Sequence, residues 1–171
     1  MRLKIISVIG PNAEGCTSEI YDFGLKLGKA LTDEGFFIAC GGLGGLMEAV
    51  CKGAKQSSSY RAGCTIGILP TLRKEDANEF CDVVIPSGLG LARNLLVVNS
   101  GDAIVAVGGG AGTLSEIALA WQLGKPVICY SASGGWSAEV AGRAIDKRKR
   151  EKIIEAKSLQ EILAHLKILS G

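Results

Sequence analysis

Two periods of polarity alternate along the chain. Short, continuous apolar runs rich in β-branched residues occupy 3–9, 36–40, 65–69, 81–85, 103–107 and 127–130, and a seventh short run covers 152–156. Continuous apolarity is what strands show when both faces of their sheet are covered. Between the runs, apolar or small residues recur at helical spacing. Ile20, Phe23, Gly24, Leu27 and Leu31 mark a helix reaching about Glu34, with Thr17 or Ser18 as its cap and Gly35 as its stop. Further helices are predicted from the glycines at 41–45 to about Ser57, from Gly90 through Arg93 and Asn94 to Ser100, from Thr113 to Leu123, over 138–146, and after Ser158. The last has Ile162, Leu163, Leu166 and Leu169 on one face. Residues 10–15 read as a turn, 70–80 as a charged, mobile surface loop, and 131–137 as a small-residue loop. Alternating strands and helices predict an α/β fold: a single-domain, Rossmann-like, doubly wound parallel sheet of about seven strands with helices on both faces, spanning residues 1–171.

In such a sheet ligands bind outside the carboxyl ends of the strands. The turns after the first, second, fourth and fifth strands share that edge, so their glycines can meet in one crevice. The most informative turn follows the fifth strand: Gly108-Gly109-Gly110-Ala111-Gly112-Thr113-Leu114-Ser115-Glu116. Glycines permit a tight turn and remove side chains that would block a ligand. The helix start behind them offers free N–H groups and partial positive charge, so an anion such as phosphate is favoured there. Gly41-Gly42-Leu43-Gly44-Gly45-Leu46-Met47-Glu48 repeats the same strand–glycine–helix logic.

Composition narrows the classes. Hydrophobic residues make up 47% and charged residues 21%, so the chain is globular rather than disordered. A net charge of +2 does not suggest a nucleic-acid partner, and the basic run at 147–150 reads as a solvated helix end or turn. No secretory signal or membrane-spanning run is visible, so a cytoplasmic protein without a membrane partner is expected. The six cysteines form no C-x-x-C pair and the single histidine is His165, which reads as free buried thiols and no metal site. A complete G-x-G-x-x-G fingerprint and a G-x-x-x-x-G-K-[ST] loop are both missing, which argues against a nicotinamide dehydrogenase and a P-loop NTPase.

Three spaced motifs carry a resemblance. Residues 109–116 resemble the P-G-G-x-G-T-x-x-E signature of the LOG ("lonely guy") proteins, long mislabelled as lysine decarboxylases. Arg93, fifteen residues before Gly108, matches the family's arginine on the preceding helix. Gly41-Gly42 and Gly45-Leu46-Met47 resemble its second-strand glycine motif. The likeness covers residues 4–130. Two departures stand out: Gly108 replaces the motif proline, and Asn94 replaces the lysine that usually follows the arginine. Arg93-Asn94 with Gly108-Gly109-Gly110 is similar instead to the molybdenum-cofactor carrier proteins, relatives of the same fold.

The resemblance implies roles. Arg93 and Glu116 would be the catalytic pair. Gly10, Gly41, Gly42, Gly45, Met47, Gly109, Gly110, Ala111, Gly112 and Thr113 would bind the phosphorylated ligand, and no metal is expected. In LOG enzymes the equivalent pair serves hydrolysis of the N-glycosidic bond of nucleoside 5′-monophosphates. Cleavage develops positive charge on the ribose, which a carboxylate stabilises while it orients water; arginine holds phosphate or hydroxyl oxygens. Three readings stay open. A binding protein for a phosphorylated ligand, nucleotide-like or molybdopterin-type, comes first. A phosphoribohydrolase comes second. A pyridoxal-phosphate decarboxylase comes last, since that chemistry needs a Schiff-base lysine and these loops hold none. No cofactor is required, with a nucleotide or the molybdenum cofactor as the candidate bound group. The helix at 113–123 is apolar on nearly every face, which predicts a homodimer or homotetramer.

Overall fold

A computed structural model describes residues 4–148 and 152–170. Seven parallel strands form one sheet: β1 (Ile5–Ile9), β2 (Phe37–Cys40), β3 (Thr65–Leu69), β4 (Val83–Pro86), β5 (Ala103–Val107), β6 (Val127–Tyr130) and β7 (Ile154–Ala156), in the order β4-β3-β2-β1-β5-β6-β7. Six helices connect or follow them: α1 (Ser18–Asp33), α2 (Leu46–Lys55), α3 (Arg93–Ser100), α4 (Ala111–Gln122), α5 (Gly135–Val140) and α6 (Leu159–Ser170).

The strand pattern assigns the helices to two faces. Along β5, Val105 and Val107 join a core with Leu27 and Leu31 of α1, Leu46 and Val50 of α2, and Ile162 and Leu166 of α6. The intervening Ile104 and Ala106 join a second core with Val97 and Val98 of α3 and with Ile117, Ala120 and Trp121 of α4. This is the period of two of a strand buried on both sides. Thr17 caps α1, its Oγ1 accepting the Ile20 N–H at 3.3 Å. Helices α1 and α2 touch backbone to backbone. A Cβ on Gly28 would run into the Val50 carbonyl, and one on Gly53 into the Leu25 carbonyl.

The chain order reverses between β1, whose neighbours on one side are β2, β3 and β4, and β5, which leads outward to β6 and β7. That reversal opens a crevice at the carboxyl edge, where Gly10 and the glycines after β5 lie. Side-chain hydrogen bonds fix the strands beneath it. The Asp102 carboxylate accepts the Ile5 N–H at 2.9 Å, and the Ser7 hydroxyl donates to the Val97 carbonyl at 2.6 Å.

Several local expectations are corrected. The helix expected over 138–146 lies instead at Gly135–Val140. Ala141 leaves helical geometry at ψ 132°, Gly142 takes φ 72°, and the segment then bonds alongside Ile153. The β4 strand starts later than expected and includes Pro86, which an edge strand tolerates. As an edge strand it is not covered on both faces: Val83 and Ile85 are 42% and 44% exposed. The loop at 70–80, expected to be mobile, contains a 3₁₀ turn at Lys74–Asp76. It is pinned by Asn78, whose Nδ2 donates to the carbonyls of Gly42 and Leu43 at 3.1 and 2.9 Å. Helix α4 begins at Ala111, two residues before the expected Thr113. Of the basic run, Lys149 and Arg150 lie outside the described residues, while Arg148 pairs with Asp146 at 2.5 Å.

Candidate functional site

A cleft of about 790 Å³ opens at the strand-order reversal, a size suited to a nucleotide- or cofactor-sized molecule. Gly10 and Asn12 follow β1, Gly41 and Met47 flank the turn after β2, Arg93 and Asn94 begin α3, and Gly109 to Thr113 with Glu116 come from the β5–α4 junction. Most of the expected site residues are therefore brought together. Gly42 and Gly45 are the exceptions and do not line the cleft. At φ 75°, Gly42 packs against Gly67 and Leu69; Gly45, also at φ 75°, packs against the backbone of Asn12. Both glycines shape the turn behind the cleft wall.

The β5–α4 turn is shaped by glycine backbone. Gly108 and Gly109 take φ 57° and 89°, a region that only glycine enters freely. The Gly108 N–H donates to Ser133 Oγ at 2.7 Å. A proline there could neither adopt that φ nor donate that bond, which accounts for its replacement by glycine. The space a Gly109 side chain would need is filled by Thr113. Apart from the adjoining backbone, no atom lies within 4 Å of where a Cβ on Gly110 or Gly112 would sit, so the approach to the helix start is open. Gly110 supplies no side-chain cap, and the first-turn amides of Ala111, Gly112 and Thr113 point beyond the helix for an incoming acceptor.

A buried carboxyl and a partly buried guanidinium share the cleft with this turn. Glu116 sits in the second turn of α4, not the first, so proximity to the helix dipole does not explain it. It is buried, and desolvation pushes its carboxyl up to about 7, against the attraction of Arg93. Arg93 is partly buried, and desolvation lowers its guanidinium from the ordinary value, opposed by the Glu116 charge. Among the described residues the buried Arg93 Nε has no hydrogen-bond partner. The guanidinium rests on Gly41, where a side chain would collide with it and with Met47 Sδ. Asn94 donates from Nδ2 to Ser115 Oγ at 3.3 Å, and Ser115 Oγ donates to the Gly112 carbonyl at 2.6 Å. The start of α3 is thereby tied to the first turn of α4.

The sequence reading missed the part played by residues 133–137. The Trp136 and Ser137 N–H groups donate to the carbonyls of Gly109 and Gly108 at 3.0 and 3.1 Å, so α5 clamps the glycine turn from behind. Ser133 Oγ also donates to the Tyr130 carbonyl at 2.7 Å. The signal was present as Ser133-Gly134-Gly135, with both glycines at positive φ. Asn12, Leu43, Leu91 and Ser133 also line the cleft, and no lysine does among the described residues.

The parallel sheet with its cleft at the strand-order reversal defines a Rossmann-like α/β fold. The chain belongs to the SLOG cluster4 family, whose model matches residues 3–163, well past residue 130 where the motif resemblance fades. An uncharacterized protein of Archaeoglobus fulgidus is 44% identical over 128 residues, covering 74% of this chain and 80% of its own length. Among solved structures, the molybdenum cofactor binding protein of Rippkaea orientalis is 33% identical at a TM-score of 0.86, covering 100% of this chain and 99% of its own. The molybdenum cofactor carrier protein of Chlamydomonas reinhardtii is 28% identical at a TM-score of 0.78, covering 98% of each chain. Among the described residues no helix is long and apolar enough to cross a membrane.

Proposed function

We propose that the protein binds a phosphorylated, pterin-type cofactor such as the molybdenum cofactor, or a nucleotide-like molecule of similar size, with its phosphate at the start of α4. The observation that carries this reading is the open turn over Gly110 and Gly112, beside the unpartnered Arg93 Nε. The first-turn amides supply donors in a fixed array, and Arg93 adds a charged donor from the facing wall. The fit to a molybdenum cofactor rests on this donor set, on the cleft volume and on likeness to proteins described as binding or carrying that group. When bound, the cofactor would bring redox chemistry for later use by another protein. The first-turn amides of α4 and Arg93 would hold the phosphate, and Leu43, Met47 and Leu91 would offer apolar contacts to the rest of the molecule.

Glu116 favours a second reading. A carboxyl that titrates at about 7, beside an arginine, in a phosphate-binding cleft, is poised for acid–base work. Under this reading the protein is a phosphoribohydrolase acting on nucleoside 5′-monophosphates, with Glu116 stabilising charge on the ribose and orienting water. The absence of a cleft lysine among the described residues weighs against a pyridoxal-phosphate decarboxylase.

A second copy of the chain is proposed as partner. Leu72, Leu89, Leu91, Leu95, Leu96 and Leu123 are exposed around α3, the turn before it and the end of α4. Such apolar exposure suits a symmetric contact. A monomer in sedimentation at micromolar concentration would refute it.

The deciding experiment combines two readouts on freshly purified protein. Mass spectrometry of heat-released ligand should identify a phosphorylated pterin or nucleotide, and incubation with nucleoside monophosphates should release no ribose 5-phosphate above background. Turnover that disappears in Glu116→Gln with binding retained would establish the hydrolase instead.

A further inference from the structure

We propose that Cys40, Cys51 and Cys81 form a binding site for copper(I), a soft monovalent cation, behind the cleft wall. The three residues come from separate parts of the fold: the end of β2, the middle of α2 and the segment leading into β4. Their sulfurs nevertheless meet. Cys40 and Cys51 Sγ are 3.7 Å apart, Cys51 and Cys81 Sγ 3.9 Å, and all three lie within 4.8 Å of one another. A metal–sulfur bond of about 2.3 Å sets sulfur–sulfur edges of about 4.0 Å for three ligands in a plane and about 3.8 Å for a tetrahedron. Two of the three edges already have that length.

The surroundings support the trio. Gly67 on β3 leaves the space that the Cys81 sulfur occupies, and a Cβ there would come within 2.7 Å of it. The Gly42 N–H donates to Cys40 Sγ at 3.4 Å, an amide contact of the kind that supports a coordinating sulfur. Purely apolar side chains would fill this core equally well without directing three sulfurs at one point.

Ligand number and type select the ion. The group contains three sulfurs and neither a histidine nor a carboxylate. Closed zinc sites take four ligands, and Cys40 and Cys51 are fully buried. Thiolates select soft ions, and copper(I) accepts three of them. Cys81 is half-buried and gives the ion its way in. Each coordinating thiol releases its proton to solvent on binding, and with the metal supplied as copper(I) no oxidant or reductant is needed.

The test is a competition titration of the reduced protein with copper(I) held by the chromophoric chelator bicinchoninate, followed by X-ray absorption of the loaded protein. The expected result is one copper(I) withdrawn per chain and bound by three sulfurs. Cys81→Ser and Cys51→Ala, checked for folding by circular dichroism, should weaken binding by at least about a hundredfold. Cys16→Ser and Cys129→Ala should leave it unchanged. Should Cys81→Ser or Cys51→Ala not fold, the count of sulfurs in the wild-type protein still decides. No withdrawal from the chelator, binding that follows Cys16 or Cys129, a count other than three sulfurs, or preferential loading by zinc would overturn the proposal.

Discussion

Replacing Glu116 by glutamine should stabilise the protein at alkaline pH and leave its stability nearly unchanged in mild acid. Burial raises the carboxyl from its ordinary value of 4.5 to about 7. Between those values the folded protein holds a proton that the unfolded chain has released, so stability falls as pH rises through that window. Above it, the whole cost of burying the charge is present. At about 1.4 kcal/mol per pH unit, the cost is about 3 kcal/mol. Glutamine is isosteric and stays neutral, so its advantage should grow from near zero at about pH 4 to about 3 kcal/mol at about pH 8. For a chain of this length that difference corresponds to a melting-temperature shift of about 6–12 °C. Urea denaturation of both proteins across this range gives the difference directly, since other titrating groups cancel between them. A difference independent of pH, or one that shrinks as pH rises, would show that Glu116 is ionised and well solvated and would remove the acid–base argument.

Other consequences concern the turn and the packing. A Cβ at Gly112 would meet no neighbouring atom within 4 Å, so Gly112→Val should fold; it should weaken binding of a phosphorylated ligand by at least about tenfold in calorimetry. Gly28→Ala would drive a methyl into the Val50 carbonyl and should cost about 1–3 kcal/mol in denaturant unfolding. Arg93→Lys keeps the charge but loses the buried Nε donor and the planar fork. It should bind phosphorylated ligands less tightly than wild type at equal ionic strength.

The fold was legible because its signals are local and repeated. Continuous runs such as 103–107 fit strands covered on both faces, and Thr17 and Gly35 punctuate the first helix by side-chain and backbone chemistry. The glycine turn after β5 was legible for the same reason, being one contiguous stretch. What was lost depends on distance through space. Gly42 and Gly45 resemble cleft residues in sequence, yet their φ values turn the chain behind the wall, against Gly67 and Asn12. The clamp from Trp136 and Ser137 onto the glycine turn joins segments some 28 residues apart, which no periodicity reveals. The cysteine trio is likewise invisible to spacing, because β2, α2 and the segment before β4 meet only in the folded chain.

The central claim is that phosphate recognition at the start of α4 anchors the ligand, and fluorescence titration with phosphorylated and dephosphorylated forms of the same pterin tests it most directly. The account predicts that wild-type protein prefers the phosphorylated form by at least about tenfold, and that Gly112→Val removes this preference while remaining folded. Equal affinity for the two forms, or a preference that survives Gly112→Val, would contradict it.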